Sequence, residues 1–335
     1  MQEIGSEFWD IQTGKQKNKV FPEHTQWFLS GRSALKAIIR ELGGCHTVAM
    51  PAWCCDSMVK PFIEAGMKVK YYPVYWQNGL VQEISMNSDV LFLMDYFGYT
   101  SAVPDITTYK GITIRDITHS VFSTLHNDSD YYFGSLRKWC GVWTGGYAWS
   151  KSGRTLAAGE DGGDEYVRLR AEAMRLKSDY INNRGVSDKN YLKIFGQAEE
   201  LLEKIGIVRA SDRDVSFAER LDVDSLISRR RANAELLRSA FGKWLLFPQM
   251  KSTDCPMFVP ILVPDGKRDE LRRFLIANEI FCPIHWPVSE QHVLDRKSEL
   301  IYKSELSLVC DQRYSADDMN RMICTIESFM KGASL

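Results

Sequence analysis

Lys138 lies between a predicted strand and a glycine-rich turn, in Gly134-Ser135-Leu136-Arg137-Lys138-Trp139 followed by Thr144-Gly145-Gly146-Tyr147. An amine set among aromatic side chains is desolvated, and desolvation lowers its pKa until it can act as a nucleophile. Upstream, Asp116 closes a predicted buried strand in Ile114-Arg115-Asp116-Ile117-Thr118-His119-Ser120, and open α/β sheets bind ligands at the carboxyl ends of their strands. A carboxylate buried there needs partners. Amides of a following helix turn would serve. So would a protonated pyridine nitrogen, and an aspartate facing that nitrogen beside a Schiff-base lysine is the arrangement of pyridoxal phosphate (PLP) chemistry. A third segment, Ser30-Gly31-Arg32-Ser33, opens a predicted helix. Its free amides, dipole and hydroxyls suit an anion such as a phosphate, and Ser135 could add another hydroxyl.

These residues need a scaffold, and the apolar pattern supplies one. Leu35, Ile38, Ile39 and Leu42 fall on one face of a helix predicted over 30–42, closed by Gly43-Gly44. A strand at 47–50 ends at Pro51, a helix at 56–65 ends at Gly66, and 68–74 reads as a strand. The unbroken apolar run 90–94 is that of a central parallel strand covered on both faces. Further strands are expected at 112–117 and 131–133. Such alternation predicts a mostly parallel central sheet flanked by helices. From 164 to about 244 the pattern turns to long helices, broken first at Asn182-Asn183-Arg184-Gly185. A strand at 257–263, a helix at 267–278, a strand at 280–284 and a helix at 316–330 form a small C-terminal α+β unit. The expected division is a large domain over 1–240, with an N-terminal arm and interdomain helices, and a small domain over 241–335.

Composition narrows the classes of function. With 42 basic and 43 acidic side chains in 335 residues, no global field draws the chain to nucleic acid or an anionic membrane. The triplet Arg229-Arg230-Arg231 reads as a solvated helix face. No run approaches the ~20 apolar residues of a membrane span, and residues 1–10 lack the features of a secretory signal. A cytoplasmic location is expected. The eight cysteines are scattered without a C-x-x-C pair, so they read as reduced thiols, and no metal site is expected.

In this order, phosphate-binding helix start, strand-end aspartate and later lysine, the chain resembles PLP-dependent aminotransferases of fold type I. More narrowly it is similar to the DegT/DnrJ/StrS sugar aminotransferases. The stretches that carry the resemblance are Ile4-Gly5-Ser6-Glu7-Phe8-Trp9, Ser30-Gly31-Arg32-Ser33-Ala34-Leu35, Pro51-Ala52-Trp53, Asp95-Tyr96-Phe97-Gly98, the segment from Asp116, and Ser135 to Trp139. They span most of residues 4–150. The resemblance implies that Lys138 forms the Schiff base with PLP and Asp116 keeps its ring nitrogen protonated. It also places His119 near the phenolic oxygen, with Gly31, Arg32, Ser33 and Ser135 at the phosphate. Trp53 is the candidate ring to stack on the cofactor, although Cys54 or Cys55 could take that place and Trp53 could equally be core. Tyr96, Asn183, His285 and Trp286 are candidate substrate contacts, Asn183 as counterpart of an asparagine loop that completes the partner's site in a homodimer.

The implied reaction moves an amino group from an amino acid, glutamate, to a keto sugar linked to a nucleotide, leaving pyridoxamine phosphate between the half-reactions, as in amino-sugar and polysaccharide biosynthesis. A lysine rather than a histidine at position 138 favours transamination over the dehydration catalysed by some members. Two departures bear on the substrate: Arg32 stands where the family has threonine, and Arg115 where it often has glutamate. The alternatives are another PLP-dependent reaction on an amino-acid-like substrate in natural-product biosynthesis, and a non-catalytic binding or regulatory protein on the same fold.

Overall fold

A computed structural model describes residues 3–84, 87–102, 104–123, 128–288 and 296–332. Seven strands form the central sheet: β1 (Gln26–Phe28), β2 (Thr47–Pro51), β3 (Lys68–Tyr72), β4 (Val90–Met94), β5 (Ile112–Asp116), β6 (Tyr131–Ser135) and β7 (Gly146–Ser150). Their spatial order is β1-β7-β6-β5-β4-β2-β3. Strand β7 runs antiparallel to β1 and β6, and the pairs from β6 to β3 are parallel. All five residues of β4 are buried, as a strand covered on both faces requires.

The helix α1 (Gly31–Arg40) begins at the carboxyl end of β1. Ser30 caps it by accepting the Ser33 amide, and Ala34, Leu35, Ala37 and Ile38 are buried along its length. Helix α2 (Asp56–Glu64) follows β2. After the sheet come α3 (Asp164–Ile181), α4 (Tyr191–Lys204), α5 (Asp212–Glu219) and α6 (Val223–Ala240). The remaining chain pairs β8 (Phe258–Leu262) antiparallel with β9 (Glu305–Val309). It adds α7 (Arg268–Ala277), α8 (Glu299–Ser304) and α9 (Ala316–Gly332). A separate apolar cluster holds these pieces together through Leu237, Val259, Ile261, Leu271, Leu306 and Met322.

Ile4 belongs to that second cluster. Ile4–Gly5 pairs in parallel with Ile280–Phe281, so the start of the chain is knitted to its far end. The pattern did not mark β1, β7, α8 or β9, and the expected strand over 280–284 shortens to Ile280–Phe281. The triplet at 229–231 also departs from a solvated face. Arg230 is buried because its guanidinium donates to Gln312 Oε1 at 2.8 Å and Met257 O at 3.0 Å and lies 4.4 Å from the centre of the Trp139 ring. Among the described residues no helix is long and apolar enough to cross a membrane.

Candidate active site

Strand ends and the turns after them converge at the carboxyl edge of the sheet. Asp116 is the last residue of β5 and Ser135 the last of β6; Leu136–Lys138 then forms a single 3-10 turn. That turn is held from several sides. Leu136 N–H donates to Gly145 O, Trp139 N–H donates to Leu136 O, and Gln312 Nε2 donates to Trp139 O at 2.6 Å. The Trp139 indole donates to Thr118 O at 2.6 Å, and the Thr118 amide donates to Asp116 Oδ1 at 2.8 Å. One chain of hydrogen bonds thus fixes the lysine turn and the aspartate together.

Gly31 lets α1 approach them. A Cβ there would meet Gly134 O and the Ser135 Cβ at 3.3 Å, and one at Gly146 would lie 2.0 Å from Ser30 O. Glycine at both positions packs the start of α1 against the ends of β6 and β7. Ser33, expected among the phosphate ligands, has both donors committed: its amide to Ser30 Oγ at 3.1 Å and its hydroxyl to Gly206 O at 2.8 Å.

Asp116 is 3% exposed, and burial pushes its carboxyl up to about 6 against the pull of the Thr118 hydrogen bonds and of Lys138. Thr118 thus holds the carboxyl through both its amide and its side chain. Lys138 is exposed, not desolvated among aromatic rings as its setting in the sequence suggests, and it makes no hydrogen bond or ion pair among the described residues, yet it is close enough to shift Asp116, His119 and His285. Burial first, then Lys138, holds both histidines well below the usual imidazole range, so both are neutral. His119 Nδ1 accepts the Phe97 amide at 3.4 Å, which leaves the ring proton on Nε2.

Among the described residues, the cofactor candidates carry five buried polar atoms with no hydrogen-bond partner, Arg32 Nε and Nη1, Trp53 Nε1, His119 Nε2 and Ser135 Oγ, and the cavity residues Arg137 and Arg230 add their Nε and Nη2 respectively. A buried donor without an acceptor costs roughly 1–3 kcal/mol. All five can donate, and all belong to residues singled out as cofactor contacts, so the set fits a ligand rich in acceptor oxygens. Arg32 also helps to hold Glu199. Burial works to raise the Glu199 carboxyl, and the Arg137, Arg170 and Arg32 guanidiniums outweigh it. Arg137 itself donates to Glu199 Oε1 at 2.6 Å and to the Tyr166 hydroxyl at 2.8 Å.

Lys138 and His285 line one cavity of about 410 Å³. Gly5, Ser6, Glu7 and Phe8 of the N-terminal arm wall it, together with Arg230, Arg272 and Arg313. Trp286 is 7% exposed and its ring stacks on His119 at 5.7 Å. Trp53 is fully buried and stacks on Tyr96 at 5.0 Å. The Tyr96 hydroxyl donates to Trp53 O at 2.5 Å and so is spent within the wall. Asn183 is exposed just beyond α3 and does not line the cavity of its own chain.

The sequence singled out none of the cavity arginines as a contact, because arginine reads as a surface residue on helices and turns alike. Arg137 lay inside the quoted lysine motif, and its neighbourhood to Lys138 was the available signal. Arg115 and Asp116 are consecutive on β5 and so face opposite sides. Arg115 donates to Asp95 Oδ1 at 2.8 Å and to both oxygens of Asp128 at 2.9 and 2.8 Å.

No protein-family model and no curated protein matches the chain. Solved structures do. Helicobacter pylori PseC, an aminotransferase involved in the biosynthesis of pseudoaminic acid, aligns with a TM-score of 0.64 and 13% identity over 92% of this chain and 87% of its own. NtdA from Bacillus subtilis, solved with the cofactor PMP, gives 0.63 and 13% over 92% and 73%. The sugar aminotransferase CalS13 from Micromonospora echinospora gives 0.60 and 14% over 91% and 87%. The chain has the fold these aminotransferases share, fold type I, with Lys138 and Asp116 at the carboxyl edge of its sheet.

Proposed function

We propose that this protein is a PLP-dependent aminotransferase that moves an amino group from glutamate to a nucleotide-linked keto sugar. The observation that carries the reading is the set of five unpartnered donor atoms on Arg32, Trp53, His119 and Ser135, gathered with Lys138 and Asp116 on a fold shared with aminotransferases. PLP offers phosphate and phenolate oxygens to such donors and a ring nitrogen to a carboxylate. When bound, it supplies an aldehyde that condenses with amines and a ring that withdraws electrons from the carbon next to them.

The chain's own residues take the remaining roles. Gly31, Arg32 and Ser135 would hold the phosphate, where the amides and dipole at the start of α1 favour an anion. Asp116, fixed by Thr118, would offer its carboxylate to the ring nitrogen. The carboxyl held at about 6 is brought back to its charged form by a cationic partner. The His119 Nε2–H would donate to the phenolic oxygen. Lys138 Nζ would be the amine that attaches the group, and as a free amine it would be the base that takes the donor's Cα proton and returns it. Arg230 and Arg272, beside Arg313 paired with Asp311 at 2.8 Å, give the cavity positive charge suited to the carboxylates of glutamate and the phosphates of a nucleotide. A second subunit would bring its own Asn183 to this cavity, so we infer a homodimer.

The test is the first half-reaction. Protein loaded with PLP should convert glutamate to one equivalent of 2-oxoglutarate without any acceptor present. Loaded protein that consumes no glutamate, or that bleaches with another amino acid without forming a keto acid, would replace this reading by another PLP-dependent reaction.

A further inference from the structure

A buried carboxyl, hydroxyl and imidazole stand in line between β9 and the cavity. Glu305 and Ser307 are two apart on β9 and so share a face, and both are fully buried. The Ser307 hydroxyl donates to Glu305 Oε1 at 2.5 Å, and Ser307 Oγ lies 2.8 Å from His285 Nδ1. The His285 amide donates to Glu305 Oε2 at 2.7 Å. Around them the strand pair is apolar, with Val259, Ile261, Leu306 and Leu308 buried. A carboxyl in such a place is costly, and packing alone gives no reason for it. At the other end His285 lines the Lys138 cavity, and among the described residues its Nε2 has no hydrogen-bond partner.

We propose that Glu305, Ser307 and His285 form a proton relay that opens onto the Lys138 cavity through His285 Nε2. The inference rests on the amino-transfer reading for its purpose and on the geometry for its existence. With Glu305 protonated, its O–H donates to Ser307 Oγ, the Ser307 O–H donates to His285 Nδ1, and Nε2–H faces the cavity. With Glu305 ionised every bond reverses: Nδ1–H donates to Ser307, Ser307 donates to the carboxylate, and Nε2 presents a lone pair. Delivery breaks Nε2–H, moves the Ser307 proton to Nδ1 and moves the Glu305 proton to Ser307 Oγ. One proton leaves the carboxyl and no electron changes hands.

Exchange of a keto oxygen for an amine releases that oxygen as water, whose two hydrogens come from the amine. A relay that gives a proton to the oxygen and later takes one from the nitrogen is therefore reset in each cycle. His285 would touch the reacting atoms, and Glu305 and Ser307 act through it as positioning residues.

The groups facing the relay are few. Arg268 and the Cys282 thiol face Glu305, and Lys138 and His119 face His285; the rings of Phe97, Phe258 and Trp286 close the remaining sides. Burial lifts the Glu305 carboxyl to about 8 against the pull of Ser307, the His285 amide and Arg268.

The test uses the cofactor-free full chain labelled with ¹⁵N-histidine, so that it does not depend on turnover, with the His285 signals assigned from His285→Gln. Between about pH 6 and about pH 9 the proton of neutral His285 should move from Nε2 to Nδ1 as Glu305 ionises. In Glu305→Gln the amide carbonyl keeps the His285 N–H, the amide NH₂ donates to Ser307, and Nε2–H should persist throughout. In Ser307→Ala the tautomer should stop following pH. One tautomer in the wild type at every pH, or a switch that survives in Glu305→Gln, would overturn the relay.

In the loaded enzyme Glu305→Gln should lower kcat by about 100-fold with KM for the keto substrate unchanged, and remove the arm of the pH profile near 8. An unchanged kcat and pH profile would overturn the relay's part in turnover. Uptake of PLP at Lys138 is scored separately. A chain that binds PLP and turns over without the tautomer switch sinks the relay alone, and one that switches but never binds PLP sinks the amino-transfer reading alone.

Discussion

Asp116 is held out of water with its carboxyl bound by the Thr118 amide and side chain, and this has a consequence for stability. Burial raises its carboxyl from 3.8 to about 6, so the folded chain holds this proton more tightly than the unfolded chain does. The contribution is complete below the ordinary pKa and is lost as pH rises through about 6. In the cofactor-free protein Asp116→Asn should therefore increase stability at pH 7, by an amount of order 3 kcal/mol. The two variants should converge near pH 4, and urea denaturation at the two pH values reads the difference. The same substitution should abolish amino transfer, since a neutral amide cannot keep a ring nitrogen protonated. Equal stabilities at pH 7 would mean that the carboxylate is satisfied by groups other than a ligand. His119 and His285 act in the opposite sense. Burial holds both well below the usual imidazole range, so their contribution is complete above the ordinary value near 6.5 and is lost as pH falls from there through the depressed folded values.

At the scale of elements, β5 carries two unlike tasks on its two faces. Asp116 serves the site, while fully buried Arg115 ties the strand to Asp95 and Asp128. Removing the cation alone strands Asp95, whose other oxygen accepts, among the described residues, from Ser120. Arg115→Met should cost about 3–5 kcal/mol in a denaturant melt while the chain that remains folded still binds PLP. A loss below about 1 kcal/mol would show that the ion pairs contribute little. The elements also show what the chain's pattern could and could not reveal. Strand β4 was legible because all five residues are apolar, and α1 because its apolar positions recur at helical spacing between a serine cap and two glycines. Strand β7 was hidden by its opening glycine and by its closeness to the Gly145 turn. Strand β9 was hidden because Glu305 and Ser307 break its apolar run. Those two polar residues are buried with His285, a partner some twenty residues away in the chain, and only the fold brings the three together. The placement of Asp116 at a strand end and of Lys138 in the turn after the next strand was legible from the apolar runs before them. The cavity arginines were not, because arginine is common on every surface.

In the whole molecule, the N-terminal arm joins parts that would otherwise meet only through the sheet. Its Glu3 pairs with Lys177 at 3.0 Å and Lys189 at 3.2 Å, Glu7 pairs with Arg170 at 3.1 Å, and Arg313 binds the carbonyls of Ser6 and Glu7. Lys177 and Arg170 are buried, so deleting residues 1–9 would leave Lys177 without its anion and Arg170 with Glu199 alone, at 3.8 Å, and strip one wall from the Lys138 cavity. Such a truncation should lose several kcal/mol in a thermal or denaturant melt, and in the folded fraction KM should rise more than kcat falls. A truncated chain that melts with the full-length protein would make the arm dispensable. The arm, the cavity and the sheet edge all converge on one amine. The most direct measurement is therefore to incubate the purified protein with PLP, reduce it with borohydride and locate the modified residue by mass spectrometry. The wild type should turn yellow and carry the reduced cofactor on Lys138, and Lys138→Ala should stay colourless and unlabelled. A colourless wild type, or a label on another lysine that Lys138→Ala leaves in place, would contradict the assignment of this site.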